Sequence, residues 1–136
     1  MAGYAIIAQY PTVEFLGGTQ TRDVMAVGVR TNDHNVYFEF RLPKASYTAD
    51  NVKADANGFT IVYELLFDIP GVTDVEWSQQ PTPAGQLQDH VTVYFASSSG
   101  NSSSFLDFPY SRFTQDIIAA AVTAARAELD AAEAAT

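Results

Sequence analysis

The sequence contains no cysteine among its 136 residues, which excludes disulfides, thiolate metal sites and a cysteine nucleophile. Positive charge is also scarce, because seven Lys and Arg stand against sixteen Asp and Glu, for a formal net charge of −9. The few basic residues are scattered, whereas nucleic acids and anionic membranes require a concentrated basic patch. We therefore expect neither nucleic acid nor membrane among the partners of this acidic protein.

Long apolar runs are missing as well. The first apolar stretch, residues 4–8, is far too short to span a bilayer and follows no basic residue, so we expect no membrane helix and no secretory signal. Apolar residues nevertheless make up 47% of the chain and charged residues only 17%, a balance that excludes disorder. This length predicts a single domain, residues 1–136, with a core of its own.

Alternation of apolar and polar residues predicts strands in both halves of the chain. The clearest case is residues 36–42, where the apolar positions alternate with Tyr37, Glu39 and Arg41. Further strands are predicted at 13–15, 24–30, 75–77, 91–95 and 105–108, and turns or polar loops at 17–19, 32–35, 79–88 and 97–104. Residues 4–9 are predicted to form one more strand or an arm, which Pro11 ends.

Two segments have the apolar spacing of an amphipathic helix, four, three, four and three residues apart. The predicted apolar faces are Val52, Ala56, Phe59, Tyr63 and Leu66 in the first helix, and Ile118, Val122, Ala125, Leu129 and Ala132 in the second. Thr48 and Thr114 are the expected N-caps, and Pro70 ends the first helix. The second helix is rich in alanine, which allows close approach of a partner.

The resulting order is β-β-β-α, followed by β-β-β-α again. We therefore predict an α+β fold, a mainly antiparallel sheet with two helices on one face, with residues 12–70 and 74–134 as possible pseudo-repeats of one duplicated unit. Leu42, Pro43 and Thr48 match Phe108, Pro109 and Thr114 at a constant offset. The same match is explained if any junction between a strand and a helix uses a proline followed by a threonine N-cap. A second possible alignment pairs residues 33–38 with 89–95, so duplication stays an open alternative.

The two histidines are the first candidates for chemistry. His34 and His90 each follow an aspartate, Asp33 or Asp89, and two His with two Asp could hold zinc. Both Asp-His pairs precede strands, however, where turn-favouring polar residues belong, and nothing in the spacing brings them together. We therefore expect no metal site.

Serines and glycines offer no recognisable catalytic or phosphate-binding motif. The serines at 97–99 and 102–104 surround Gly100 without the Gly-x-Ser-x-Gly elbow of a hydrolase, which favours a hairpin tip. The glycine pair at 17–18 lacks a P-loop lysine and does not open a helix, so we interpret it as a hairpin turn. We expect no catalytic residue and no cofactor-binding residue among them.

Three glutamates on predicted strands, Glu14, Glu39 and Glu76, each stand between apolar residues. Paired carboxylates could serve glycoside hydrolysis, but strand alternation predicts that each glutamate faces water while its neighbours face the core. A sheet covered on both faces would instead require a partner for a buried carboxylate, such as Arg41.

Aromatic residues are the remaining candidates. Tyr10, Tyr37, Tyr94 and Tyr110 are expected to be partly exposed. Such tyrosines fit a protein interface, or equally a buried ring whose hydroxyl reaches water.

Two stretches, residues 11–19 (PTVEFLGGT) and 37–43 (YFEFRLP), carry a resemblance to a known class of proteins. With the cysteine-free composition rich in Ala, Asp, Thr and Val, the chain resembles small virion proteins encoded among the head and tail genes of bacteriophages that infect high-GC actinobacteria. The resemblance implies a capsid, connector or tail component, assembled in many copies in the host cytoplasm and located in the virion. It carries over no functional residues.

Two hypotheses about function follow. The first is a non-catalytic structural protein, not an enzyme, whose partners are itself and other proteins of a larger assembly. The second is an α+β domain of the cytoplasm that binds a small molecule. Its pocket is expected between sheet and helices, on the axis that relates the two halves.

Overall fold

The structure is a computed structural model that describes residues 3–110 and 114–135. Its elements are β1 (Tyr4–Gly17), β2 (Gln20–Thr31), β3 (Tyr37–Pro43), a 3-10 turn (Lys44–Ser46), α1 (Ala49–Phe67), β4 (Val72–Pro81), β5 (Leu87–Ala96), β6 (Ser103–Pro109) and α2 (Gln115–Ala134). The α+β class and the repeated β-β-β-α order are confirmed. Over the described residues, neither helix combines the length and the hydropathy that crossing a membrane requires.

All strand pairs are antiparallel, and the strands divide into two sheets rather than one. Sheet 1 has the order β1-β2-β3 and sheet 2 has the order β4-β5-β6. The sheets meet where β3 lies beside β4, with the Tyr37 ring edge-on to Trp77 at 5.7 Å between centroids. Side chains rather than a backbone ladder therefore join the two halves of the domain.

Two predicted boundaries are wrong, and prolines explain both. β1 does not end at Pro11 but continues to Gly17, with Pro11 opposite Met25. β1 lies at the edge of its sheet, where the missing N–H of a proline costs no ladder bond. In the same way β4, also an edge strand, runs to Pro81, and β5 begins at Leu87, so the loop between them is shorter than residues 79–88.

The core fills the space between the helices and the inner faces of the sheets. The Tyr63 ring of α1 stacks on Phe38 at 4.6 Å between centroids, and Phe59 lies 5.7 Å from Phe40. The predicted core residues that the structure buries are Val52, Phe59, Tyr63, Leu66, Ile118, Val122, Phe38, Phe40, Val91, Val93 and Phe95. The end of the predicted face of the second helix is the exception, since Ala125 and Leu129 pack against the core but are half-buried and Ala132 is exposed.

Turns and caps hold the elements in place. The Thr48 hydroxyl accepts a hydrogen bond from the Asn51 N–H at 3.2 Å, which confirms the predicted N-cap of α1. Gly17 and Gly18, with φ of 126° and 56°, form the predicted turn between β1 and β2, in a region of φ that favours glycine. α2 begins directly after Thr114, while residues 111–113, which lie within the predicted second repeat, fall outside the described residues.

Candidate functional site

The hairpin of β1 and β2 extends past the end of the third strand of its sheet. β3 pairs with β2 only from Val24 to Arg30, because Pro43 ends it. β1 and β2 continue to pair with each other as far as Gly17 and Gln20. Residues 13–23 therefore form a two-stranded extension, the β1–β2 arm, beside which the described part of the chain places no third strand.

A carboxylate on β3 anchors the base of this arm. Glu39 accepts hydrogen bonds from the Tyr10 hydroxyl of β1 at 2.7 Å and from the Tyr37 hydroxyl at 2.5 Å, one on each carboxylate oxygen. The contact crosses β2 at its two small residues on this face, Ala26 opposite Tyr10 and Gly28 opposite Glu39. A methyl group at Gly28 would lie 2.9 Å from the Tyr37 hydroxyl, so the glycine is what leaves room for the tyrosine.

The two tyrosines act as permanent donors. The hydrogen bond to Glu39 raises the pKa of Tyr10, and burial together with Glu39 raises the pKa of Tyr37. Both hydroxyls therefore stay protonated throughout the physiological range. The two hydroxyls therefore hold β1 and β3 together through the Glu39 carboxylate.

A second charged cluster joins the two sheets. The Arg41 guanidinium on β3 donates to Asp89 on β5 at 3.2–3.3 Å, and the Gln79 amide donates to the same carboxylate at 3.2 Å. Burial raises the pKa of Asp89, and the charge of Arg41 opposes that shift. Arg41 thus pairs with Asp89, while the two tyrosine hydroxyls are the partners of Glu39.

Large apolar side chains cluster at the end of the arm. Val13, Phe15 and Leu16 are 44%, 53% and 47% exposed, and Leu87 at the neighbouring β4–β5 turn is 59% exposed. Val13, Phe15 and Leu87 line one shallow cleft of about 80 Å³. We call these four residues the arm patch.

The arm reverses the burial predicted around Glu14. Glu14 forms an ion pair with Arg22, while the neighbouring Val13 and Phe15 face water. Strand alternation itself is intact, but beyond the end of β3 the apolar side chains of the arm remain about half exposed in the part of the chain that the structure describes. Glu76 behaves as predicted, since it is exposed beside buried Val75.

The histidines lie in separate places, each with a carboxylate that spacing did not predict. His34 contacts Glu64 and stacks on Phe67 at 4.0 Å between centroids, whereas His90 lies 3.0 Å from Asp107. Across residues 3–110 and 114–135, no three His, Asp or Glu side chains are grouped so that they could hold a metal ion.

The serine-rich loop serves a structural role. Both the N–H and the hydroxyl of Ser98 donate to Asp130 of α2, at 2.8 and 2.6 Å, and Ser99 contacts Glu133. These hydrogen bonds lower the pKa of Asp130. The loop is thereby fastened to the last turns of α2, and its hydroxyls are engaged with carboxylates rather than with a histidine.

The predicted tyrosine candidates separate into two groups. Tyr10 is 40% exposed, and the Tyr94 hydroxyl donates to Glu76 on the outer face of sheet 2 at 2.9 Å. Tyr110 instead packs against Phe59 and Tyr63, and burial raises its pKa. Only the first group lies where a partner can reach it.

Comparisons with protein-family models, with curated proteins and with solved structures found no match for this chain. Function is therefore inferred from the chemistry of the surface. The feature that stands apart on that surface is the arm patch, together with the outward edge of β1 beside it.

Proposed function

We propose that this protein is a non-catalytic structural protein that acts by assembly in many copies. In the form that the sequence resemblance implies, it is a virion component of a tailed bacteriophage, in the capsid, connector or tail. The observation that supports assembly is the concentration of exposed large apolar side chains on one strand. Among residues 3–110 and 114–135, five of the ten such residues lie on β1, namely Ile7, Tyr10, Val13, Phe15 and Leu16.

This concentration is hard to reconcile with a protein that works alone. Single exposed apolar residues are common on soluble proteins, but a contiguous apolar patch marks an interaction surface. In the described part of the chain, the apolar side chains of the β1–β2 arm remain 44–53% exposed, so this part of the hairpin adds little to the core. A partner that covers the arm would supply the missing layer.

The exposed side of α2 supports contact with more than one neighbour. Ile117 is 68% exposed, and Ala120, Ala124, Ala127 and Ala131 follow it at helical spacing, all exposed. This stripe lies on a different element from the arm patch. A subunit with two separate apolar surfaces is suited to an extended assembly rather than to a single pair.

The test is the oligomeric state of the full chain as a function of concentration and salt. Because each copy carries a net charge of −9, repulsion opposes association, so high salt should strengthen it. Sedimentation velocity and size-exclusion chromatography with light scattering measure this directly. A chain that stays monomeric at high concentration in both low and high salt would refute the assembly function.

A second candidate function rests on one groove. A groove of about 310 Å³ lies between β1 and the start of α1, with a mainly apolar lining that includes Ile6, Tyr47, Val52 and Lys53. Its size suits a small ligand. It lies within the first β-β-β-α unit, however, rather than between the two units. Ligand-induced thermal stabilisation that is lost in Ala49→Phe, which would fill the groove, would favour this function.

A further inference from the structure

β1 is the outer strand of sheet 1, and in the part of the chain that the structure describes no strand pairs with its outward edge. Such an edge offers N–H and C=O groups that a second strand can complete, and proteins protect edges with charges, prolines and bulges. The first half of β1 has a bulge between Ile6 and Ala8, and then Pro11. The second half has Glu14, whose charge is paired with Arg22, and a second bulge only at its end, between Phe15 and Gly17. The segment after Pro11 is thus open to pairing.

Pro11 determines which backbone groups face outward in this segment. It lies opposite Met25, in a ladder that runs in register from Ala8 to Phe15. Since proline has no N–H, its neighbours make the ladder bonds to β2 and its own backbone faces outward. Alternate residues of an antiparallel strand point their backbone groups the same way. The N–H groups of Val13 and Phe15 therefore also face outward.

From this geometry we propose that a second copy of the chain pairs with β1, antiparallel, about a two-fold axis at Val13. The proposal rests on the assembly function above and specifies its partner. Val13 then lies opposite Val13 of the second copy, and the two exchange N–H···O=C bonds. Phe15 lies opposite Pro11, so each Phe15 N–H donates to a Pro11 carbonyl across the axis. Every outward N–H of this segment finds an acceptor.

The same register gives each exposed apolar side chain of the arm an apolar partner. On one face of the joined sheets, Val13 meets its own copy and the Phe15 ring meets the Pro11 ring. Leu16, at the bulge that ends the segment, lies opposite Tyr10 in this register. Together these side chains expose roughly 400 Å² per copy, so with the strand backbones the interface approaches about 1,000 Å² in total, the lower limit for a stable dimer.

Charge distinguishes this register from its neighbours. An axis at Glu14 would place the two Glu14 carboxylates directly opposite each other, which is destabilising in a chain that is already acidic. An axis at Thr12 would place Phe15 opposite Gln9 and Tyr10 opposite Glu14, so the two largest apolar side chains would lack an apolar partner. With the axis at Val13, Glu14 faces Thr12, whose hydroxyl can donate to the carboxylate.

The absence of cysteine allows a direct test in the full chain. Val13→Cys would place two thiols opposite each other on the axis, with Cα atoms about 5.5 Å apart, within disulfide range. Under mild oxidation we expect a disulfide-linked dimer as the main species. Ile7→Cys is the matched control, because Ile7 is 51% exposed on the same strand but would lie roughly 40 Å from its copy.

A backbone variant tests the hydrogen bonds themselves. Val13→Pro removes an outward N–H but keeps the ladder to β2, which Thr12 and Glu14 maintain. We expect it to fold with a circular dichroism spectrum and an unfolding midpoint close to those of the unmodified chain, and to lose the dimer in sedimentation velocity. Thr12→Pro is the counterpart, since it removes an inward N–H and should destabilise the hairpin.

The possible results distinguish failure of the β1 pairing from failure of the proposed assembly function. A dimer that persists in folded Val13→Pro, or equal cross-linking of Val13→Cys and Ile7→Cys, would overturn the β1 pairing while leaving assembly through another surface in place. A chain that is monomeric under all conditions would overturn both. If Val13→Pro does not fold, the comparison of the two cysteine variants decides.

Discussion

Replacing Phe59 with alanine tests how α1 and sheet 1 are joined. Phe59 is 8% exposed, with its ring 6.0 Å from Phe38, 5.7 Å from Phe40 and 6.1 Å from Tyr110. Removing a buried Phe ring costs about 3–5 kcal/mol, and alanine returns about 0.5 kcal/mol of helix propensity. We expect a loss of about 3–4 kcal/mol in the free energy of unfolding.

The assay is urea unfolding followed by circular dichroism. A loss of this size should also lower the thermal midpoint by about 10–15 °C in a domain of this length. Because association adds stability that depends on concentration, both proteins should be measured where the chain is monomeric. Phe105→Ala is the matched control, since Phe105 is 60% exposed and its loss should cost less than about 1 kcal/mol.

Phe40→Ala is a second variant for the same test. Phe40 lies on β3, directly below Phe59, and is 4% exposed, so its replacement should fall in the same range of about 3–5 kcal/mol. If both Phe59→Ala and Phe40→Ala cost less than about 1 kcal/mol, α1 does not cover sheet 1 and the inner face has been assigned wrongly.

Two further predictions concern the serine-rich loop and the histidines. Because hydrogen bonds from Ser98 lower the pKa of Asp130 in the folded state, the contact is stabilising above the ordinary carboxylate pKa of about 4 and is lost as pH falls through the lowered value. The Ser98 amide resonance should shift in that acidic window, and Asp130→Asn should abolish the pH dependence; a shift that persists in the variant would refute the assignment. Replacing His34 and His90 together should leave assembly and the zinc content after dialysis unchanged, and zinc that is retained stoichiometrically by the unmodified chain but lost in the variant would contradict this.

Local sequence patterns were sufficient for most of the fold. The alternation around Glu39 placed Phe38 and Phe40 on the buried face of β3, and the helical spacing placed Phe59 and Tyr63 against them. These patterns succeed because each reports a periodicity that one element imposes on its own residues. They also require no knowledge of which elements lie next to each other.

Local patterns could not predict the polar contacts, because each contact depends on which elements lie next to each other. The Glu39 carboxylate accepts one hydrogen bond from the hydroxyl of Tyr37, two residues away in the sequence, and one from the hydroxyl of Tyr10, on another strand. Arg41 is bound to Asp89, which is 48 residues away along the chain. The glycine at 28 was the one local hint, since a glycine inside a strand indicates close approach by another group.

The arm patch shows where alternation fails as a predictor of burial. Alternation tells which residues share a face of a strand, but burial also requires another layer opposite that face. β1 and β2 extend past the end of β3, and on this extension the side chains of Val13, Phe15 and Leu16 remain about half exposed. The sequence predicts that Pro43 ends β3, which is correct, and that Pro11 ends β1, which is wrong.

On an edge strand a proline has the opposite meaning, because it can face outward without breaking the ladder. With Pro11 interpreted in that way, the apolar residues at 13, 15 and 16 belong to a long strand with no third strand to cover it, and the exposed patch follows from the sequence. Pro11 is the reason why the local pattern predicts a short strand instead of the long arm. It also determines which N–H groups of β1 face outward, toward a neighbour. The length of the arm, its exposed side chains and the direction of its backbone groups therefore all depend on Pro11 lying at the edge of the sheet.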